Sequence, residues 1–305
     1  MFANYDYGLS TTYTELPQHL VIDGQGKYTI SARTTTYLWR IYDDNKTFTL
    51  KNLTMDVTAV DSEGNPTADN MGIVFMYQTN NSVVTIDHST IKSTNNIALH
   101  AQQRKGGAYV IQDSTIYGGT YGIYYNDSDH ALNITNSTIH GGTYGILVTG
   151  GNPCTNVTIT DSTVTAGIYL NSGEAKVTLA GKTVVDSTLI ATIYKDGNGN
   201  PIYAGSEYAV QITTGNNALT VKDNAKIVGS VNHIAGGLTI NESTQIIRQR
   251  GNVYYFYDTV DAAFGEWAEG DTVFTYSKAV ADAIDPTKYN VATDVNDAYQ
   301  ITKIA

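Results

Sequence analysis

Gly118-Gly119-Thr120-Tyr121-Gly122-Ile123 recurs, letter for letter, as Gly141-Gly142-Thr143-Tyr144-Gly145-Ile146, an offset of 23 residues. Just upstream, Asp113-Ser114-Thr115-Ile116 returns as Asn136-Ser137-Thr138-Ile139 at the same offset. A fixed period of this size marks a chain that stacks similar units. Following the Ser-Thr pair outward gives Ser89-Thr90, Ser114-Thr115, Ser137-Thr138 and Ser162-Thr163, at steps of 25, 23 and 25. A short alternating strand precedes each pair: Val84-Thr85-Ile86, Val110-Ile111, Leu132-Asn133-Ile134 and Val157-Thr158-Ile159. Alternation at period two buries one face of a strand and solvates the other.

A second strand in each period opens on a small or polar residue and Ile: Ile73, Ile97, Ile123, Ile146 and Ile168. Two residues on stand Phe75, Leu99, Tyr125, Val148 and Leu170, expected to stack inward with the Ile ladder. The residues between them (Val74, Ala98, Tyr124, Leu147 and Tyr169) are expected to form an outward stripe without charge. Tyr121 and Tyr144 flank it at the Gly-Gly turns, where a side chain would crowd the stacked unit. The period has no room for a helix, lacks the Leu-rich repeat frame and is too short for a propeller blade. A parallel β-helix satisfies it, each turn pairing with those above and below about 4.8 Å away. Residues from roughly 20 to 250 would make nine or ten turns, a rod about 45 Å long.

The other features bound the class. The chain has 305 residues, 15% of them charged, and a formal net charge of -11. That balance argues against nucleic acid, which needs clustered Lys and Arg, and against adhesion to anionic lipid. Tyr is abundant at 23, and Gly at 28, which suits a turn-rich β-protein. Cys154 is the sole cysteine, so no intrachain disulfide forms, and no paired base makes it a nucleophile. No apolar run is long enough for a membrane span. The amino terminus lacks the regions of a signal peptide, so any leader is expected to have been removed. Asp196-Gly197-Asn198-Gly199-Asn200-Pro201 reads as a hairpin insertion near 192–206. After Gly251 the pattern changes: an aromatic strand at Tyr254–Tyr257, a short helix over 260–268, a strand at 270–274 and a second helix over 277–284. The domain reading is therefore a coil over 1–250 and a carboxyl cap or small α+β appendage over 251–305.

With these units in place, the chain resembles the right-handed parallel β-helix superfamily, the pectate-lyase-like fold that also includes bacterial surface adhesins. Val21-Ile22-Asp23-Gly24-Gln25-Gly26-Lys27-Tyr28-Thr29-Ile30 looks like the opening of such coils, and the Val-Thr-Ile-x-(Asp/Asn)-Ser-Thr-Ile units resemble adhesin rungs. Thr259 to Phe264 followed by Gly270 to Val273 is similar to a helix-plus-strand phrase beside these coils in gut-bacterial surface proteins. The resemblance implies an all-β fold: a right-handed single-stranded parallel β-helix, a solenoid of roughly 23–25 residues per turn, with a small α+β carboxyl cap. It does not imply one activity, because this fold hosts lyases, hydrolases and inert stalks alike.

The Asn-Thr-Asp, Asp-Asp, Gly-His-Gly and Arg-Ile-Lys phrases of galacturonan hydrolases are absent. Carboxylates for acid and base work would have to come from Asp127 and Asp129, with Arg104 one turn earlier and His140 nearby. The same cluster could hold Ca²⁺ through carboxylate oxygens, although no cofactor is required by the reading. His88, Asp113, Asn136 and Asp161 should form one polar ladder, and Lys92, Tyr117, His140 and Thr165 another. The leading expectation is a non-enzymatic adhesin or binding module, extracellular or on a bacterial cell surface. Its partner would be a glycan or a host or cell-surface protein, bound through Tyr121, Tyr124, Tyr144, Leu147 and Tyr169. A polysaccharide lyase or glycoside hydrolase, and an inert stalk, are the alternatives.

Overall fold

A computed structural model describes residues 5–10, 14–65, 73–77, 79–94, 97–189, 206–213, 216–233, 237–240, 242–293 and 298–304. The expected hairpin near 192–206 lies outside the described residues except for Ser206. The chain winds as a coil with three straight legs per turn, each leg pairing in parallel with its copies above and below. Leg A includes Thr90–Thr94, Thr115–Gly118, Thr138–Gly141, Thr163–Thr165 and Val184–Asp186. Leg B includes Trp39–Ile41, Val74–Tyr77, 99–102, 121–126, 144–149, 168–171 and Val210–Ile212. Leg C includes Val83–Asp87, 108–112, 132–135, 157–160, 177–180 and Ala218–Val221. The coil reaches back before residue 20, since Tyr5–Ser10 pairs in parallel with residues 30–34.

Period-two alternation sends every second residue inward, and the parallel register stacks like on like. On leg A, Met55, Ile91, Ile116, Ile139, Val164, Val185 and Ile227 form one fully buried column. Leu50, Ile86, Ile111, Ile134, Ile159, Leu179 and Val221 form another on leg C. Each branched side chain buried this way is worth about 1.5–3 kcal/mol.

The Ser-Thr pairs stand where leg C turns into leg A. The preceding residues His88, Asp113, Asn136 and Asp161 have φ of 43°, 47°, 46° and 49°, the left-handed region that Asn, Asp and His tolerate best. The serines themselves are buried. The N–H of Ser89 donates to Ser114 Oγ (3.0 Å), that of Ser114 to Ser137 Oγ (3.1 Å) and that of Ser137 to Ser162 Oγ (3.0 Å). Each hydroxyl in turn donates to a carbonyl two residues back: Ser89 to Asp87, Ser114 to Gln112, Ser137 to Thr135 and Ser162 to Thr160. The hydroxyl thus satisfies an amide that the corner removes from the strand ladder.

At the corner between legs A and B the requirement is space. A Cβ on Gly118 would lie 1.7 Å from the Tyr121 carbonyl oxygen, and one on Gly141 would lie 1.7 Å from that of Tyr144. The duplicated string therefore carries glycine where the backbone folds onto itself.

Register on leg B differs from the sequence reading. Leu99, not Ile97, pairs with Ile123, and Val74, not Ile73, pairs with Leu99. The stretch between Ser93 and Leu99 holds one residue more than that between their partners Gly118 and Ile123, and this displaces the pattern. Val74 and Ala98 are therefore not in the outward column. Phe75 and His100 hold those register positions, and Arg40 extends the column, so it is not free of charge throughout.

Beyond the coil, pairing switches from parallel to antiparallel. Val253–Tyr257 runs antiparallel to residues 229–232, then pairs with Ile246–Arg250, which pairs with Thr272–Thr275. Ile247, Phe256 and Phe274 join the coil's core, whereas Ile246, Ala263, Val273, Tyr289 and Ile301 form a second core. Helix α1 (Val260–Gly265) and helix α2 (Lys278–Asp282) are shorter than the sequence spacing suggests. Thr259 and Ser277 cap them, accepting from the N–H of Ala262 and of Val280. No helix among the described residues is long and apolar enough to cross a membrane.

Replacing Ser137 with Ala leaves the buried Ser114 N–H without its acceptor and should cost about 1–3 kcal/mol. Thr138→Ala, on the outward position beside it, should cost within about 0.5 kcal/mol. Equilibrium urea unfolding of the two variants checks the contrast, and equal losses would deny the serine its role.

Candidate binding face

Three outward columns run along the coil axis on leg B. At the glycine corner, Tyr121 pairs with Tyr144, their rings 6.3 Å apart and 11° from parallel. The next column is His100, Tyr124, Leu147, Tyr169 and Gln211. Two residues further along each strand, past an inward residue, stand Gln102, Asn126, Thr149 and Asn171. Thr213 Oγ1 donates to Asn171 Oδ1 at 2.9 Å.

The rings form a continuous aromatic ribbon. Tyr37 meets His100 at 6.3 Å, His100 meets Tyr124 at 4.7 Å and Tyr124 meets Tyr121 at 5.8 Å. From Tyr144 it continues to Tyr169 at 5.0 Å, and Tyr144 OH donates to Gln211 Oε1 at 3.1 Å. The tyrosines are half-buried. Leu147 is only 8% exposed, so it acts as a floor between rings and not as a contact. Burial raises the pKa of Tyr121 and Tyr144, which keeps both phenols protonated and able to donate.

Of the residues of the catalytic alternative, Arg104, Asp127 and Asp129 share one bend by register, and His140 stands apart from them. Asp129 stands at the bend between legs B and C, where Lys105 is its register partner and Arg104 is that of Ser128. The side chains of Asp127 and Arg104 lie outside the described residues. His140 ends leg A, a whole leg B away, roughly 15–20 Å at the rise of a strand. Its ring stacks on Tyr117 at 4.5 Å and 6°, and its Nδ1 lies 2.9 Å from Thr165 Oγ1. His130, next to Asp129, is buried with Nε2 3.4 Å from Thr79 Oγ1.

At the left-handed corner, His88 bridges two turns. Its Nδ1 lies 2.6 Å from Asp87 Oδ1 and its Nε2 3.8 Å from Asp113 Oδ2. The Asp87 carboxylate raises the His88 pKa and is itself lowered, first by the hydrogen bond from Gln112. Among the described residues this trio has metal-ligand character. Its imidazole already occupies the space between the carboxylates, so it serves as an ion pair between turns.

Sequence reasoning missed His100 and the amide column. The signal was present: Leu99-His100-Ala101 reads inward-outward-inward and aligns on Ile123-Tyr124-Tyr125 once Leu99 is set on Ile123.

Residues 40–184 match the family model described as right handed beta helix region. The coil is a right-handed β-helix. No curated protein sequence matches the chain. Among solved structures, the Dettilon tailspike protein (gp208) is similar at 8% identity and a TM-score of 0.18, over 87% of this chain and 69% of that one. A TM-score that low carries no weight on function, so the β-helix must be read from its own surface.

Burial holds His100 at a pKa of about 3 and His140 at about 4, and lowers His130 also. Each is depressed below its unfolded value near 6.5, so the unfolded chain takes up protons first as pH falls. Stability should therefore decline from about pH 6.5 toward pH 4. His88 has the opposite sign: its raised pKa adds stability below about pH 6.5 that is lost as pH rises through the folded value. Urea midpoints between pH 7 and pH 5 should fall, less steeply in His140→Phe and more steeply in His88→Asn. A flat wild-type profile would contradict the buried neutral histidines.

Proposed function

We propose that this β-helix is a non-enzymatic binding module, displayed outside a bacterial cell as an adhesin or receptor-binding segment, and that leg B takes a glycan. The observation that carries the reading is the aromatic ribbon from Tyr37 through His100, Tyr124, Tyr121 and Tyr144 to Tyr169. Pre-ordered rings offer contact area at little entropic cost, which suits the apolar faces of sugar rings. Their hydroxyls, with Gln211 and Asn171 alongside, offer donors and acceptors for sugar hydroxyls. The acidic surface, rich in Asn, Thr and Tyr, supports an extracellular setting.

Tyr124→Ala and Tyr169→Ala should each weaken glycan binding by about 0.5–1.5 kcal/mol, roughly two- to tenfold in Kd. A glycan array followed by titration calorimetry on the best ligand measures this. Binding to host proteins alone, or binding indifferent to both substitutions, would remove the glycan face. A reducing-end release assay on the same polysaccharides should show no product; release lost with Asp127→Asn or Asp129→Asn would restore the lyase or hydrolase alternative.

A further inference from the structure

We infer that the ligand of leg B is an uncharged polysaccharide strand lying along the coil axis. This rests on the glycan-binding reading and adds to it the ligand's charge and direction.

The direction follows from the columns. A parallel β-helix repeats an outward position at each turn, so its chemistry extends along the axis and not around the girth. The aromatic column runs from His100 to Gln211, and the hydrogen-bonding column from Gln102 through Asn126 and Thr149 to Asn171. They run side by side, separated by the inward residues Tyr125, Val148 and Leu170, which are fully buried. A linear ligand along this face would rest its ring faces on Tyr124 and Tyr169, with the buried His100 and Leu147 as floor, and its hydroxyls on the other column. A ligand crossing the coil would leave the aromatic lane after one ring and reach the bend at Asp129.

The charge follows from the residue types. From His100 to Gln211 and from Gln102 to Asn171 every position is an aromatic, an aliphatic, an amide or a hydroxyl residue, and Arg40, which extends the first column beyond Phe75, is paired with Glu15 at 3.0 Å. His100 is buried and held neutral, with a pKa of about 3, so it adds no cation at neutral pH. A carboxylate or sulfate brought onto this face would lose hydration and gain no opposite charge. The net charge of -11 would also repel an approaching polyanion. Amide and hydroxyl groups, by contrast, are matched to neutral hydroxyls, donating and accepting in turn.

The test is affinity electrophoresis of the whole chain in gels containing dextran, amylose, xylan or mannan, beside gels containing polygalacturonate or dextran sulfate. Retardation should occur with at least one neutral polymer and with neither anionic one. It should change little from about 0.05 to 0.5 M NaCl, since no ion pair is screened. Asn171→Ala and Asn126→Ala should each reduce retardation several-fold, while Asn133→Ala, on the exposed face of leg C, should not. Thermal melts of the three variants confirm that each is folded. Retardation by the anionic polymers alone, or equally by both kinds, overturns the neutral-ligand inference and leaves the glycan-binding reading standing. Loss on Asn133→Ala but not on Asn126→Ala or Asn171→Ala overturns the placement. No retardation by any polysaccharide overturns both readings together.

Discussion

The structure depends on one constraint: every backbone amide that leaves a strand to turn a corner still needs an acceptor. Within a leg the neighbouring turns supply it. At the corner between legs C and A carbonyls of the adjacent turn still accept from His88, Asp113, Asn136 and Asp161, and for the amide after each of these the adjacent turn's side-chain hydroxyls take over. Ser89, Ser114, Ser137 and Ser162 each accept an amide of the adjacent turn and return a bond to their own turn's carbonyl. Ser162 in turn donates its N–H to Thr183 Oγ1 at 3.4 Å, so the ladder ends on a longer bond to a threonine. A buried orphan amide costs about 1–3 kcal/mol, comparable to the burial of one core side chain. Each corner amide is therefore worth about as much as one core side chain.

Fixing the corners has a consequence for the surface. Once both corners are rigid, residue position within a leg decides which column a side chain joins. The inward columns become Ile, Leu and Val stacks without further geometric adjustment. The outward columns inherit the same straightness, so five uncharged residues at matched positions become a lane. The tyrosine ribbon is thus a by-product of the ladder that holds the turns together. Its placement needs no loop to organise it, which keeps its rings ordered before any ligand arrives.

How much of this was legible in the sequence follows from where the period is regular. Turns with identical corner lengths announced themselves: the Ser-Thr pairs, the GGTYGI strings and the columns from Ile123 onward all read correctly. The ladders His88-Asp113-Asn136-Asp161 and Lys92-Tyr117-His140 also stand in the expected order. The reading slipped before Leu99, where the strand is set two residues later than expected, which preserves its inward-outward alternation. A period-two pattern registers only parity, so Ile97 and Leu99 are equally good inward candidates by sequence. Arg40 escaped for the same reason, sitting in a column aligned from a wrongly set neighbour. Its guanidinium is engaged by Glu15 at 3.0 Å and lies over the Tyr42 ring, which keeps it at the lane's end and not on its floor. The antiparallel closure was not legible either, because the aromatic strand Val253–Tyr257 carries no mark of which edge it will join.

The triangular section also decides what chemistry this coil can host. Acid and base must face one bond from a few ångströms on either side. Residues of one column are a single strand spacing apart, so a catalytic pair could arise between neighbouring turns or at one bend. Residues of different legs diverge, as His140 and Asp129 do, because each leg's outward normal points away from the others. Convergence across legs therefore needs an insertion that leaves the coil and folds back over it. Val210–Ile212, the first strand after the sequence insertion, pairs in parallel with residues 168–170 of leg B. The chain re-enters the coil beside the aromatic lane and not beside the Asp129 bend.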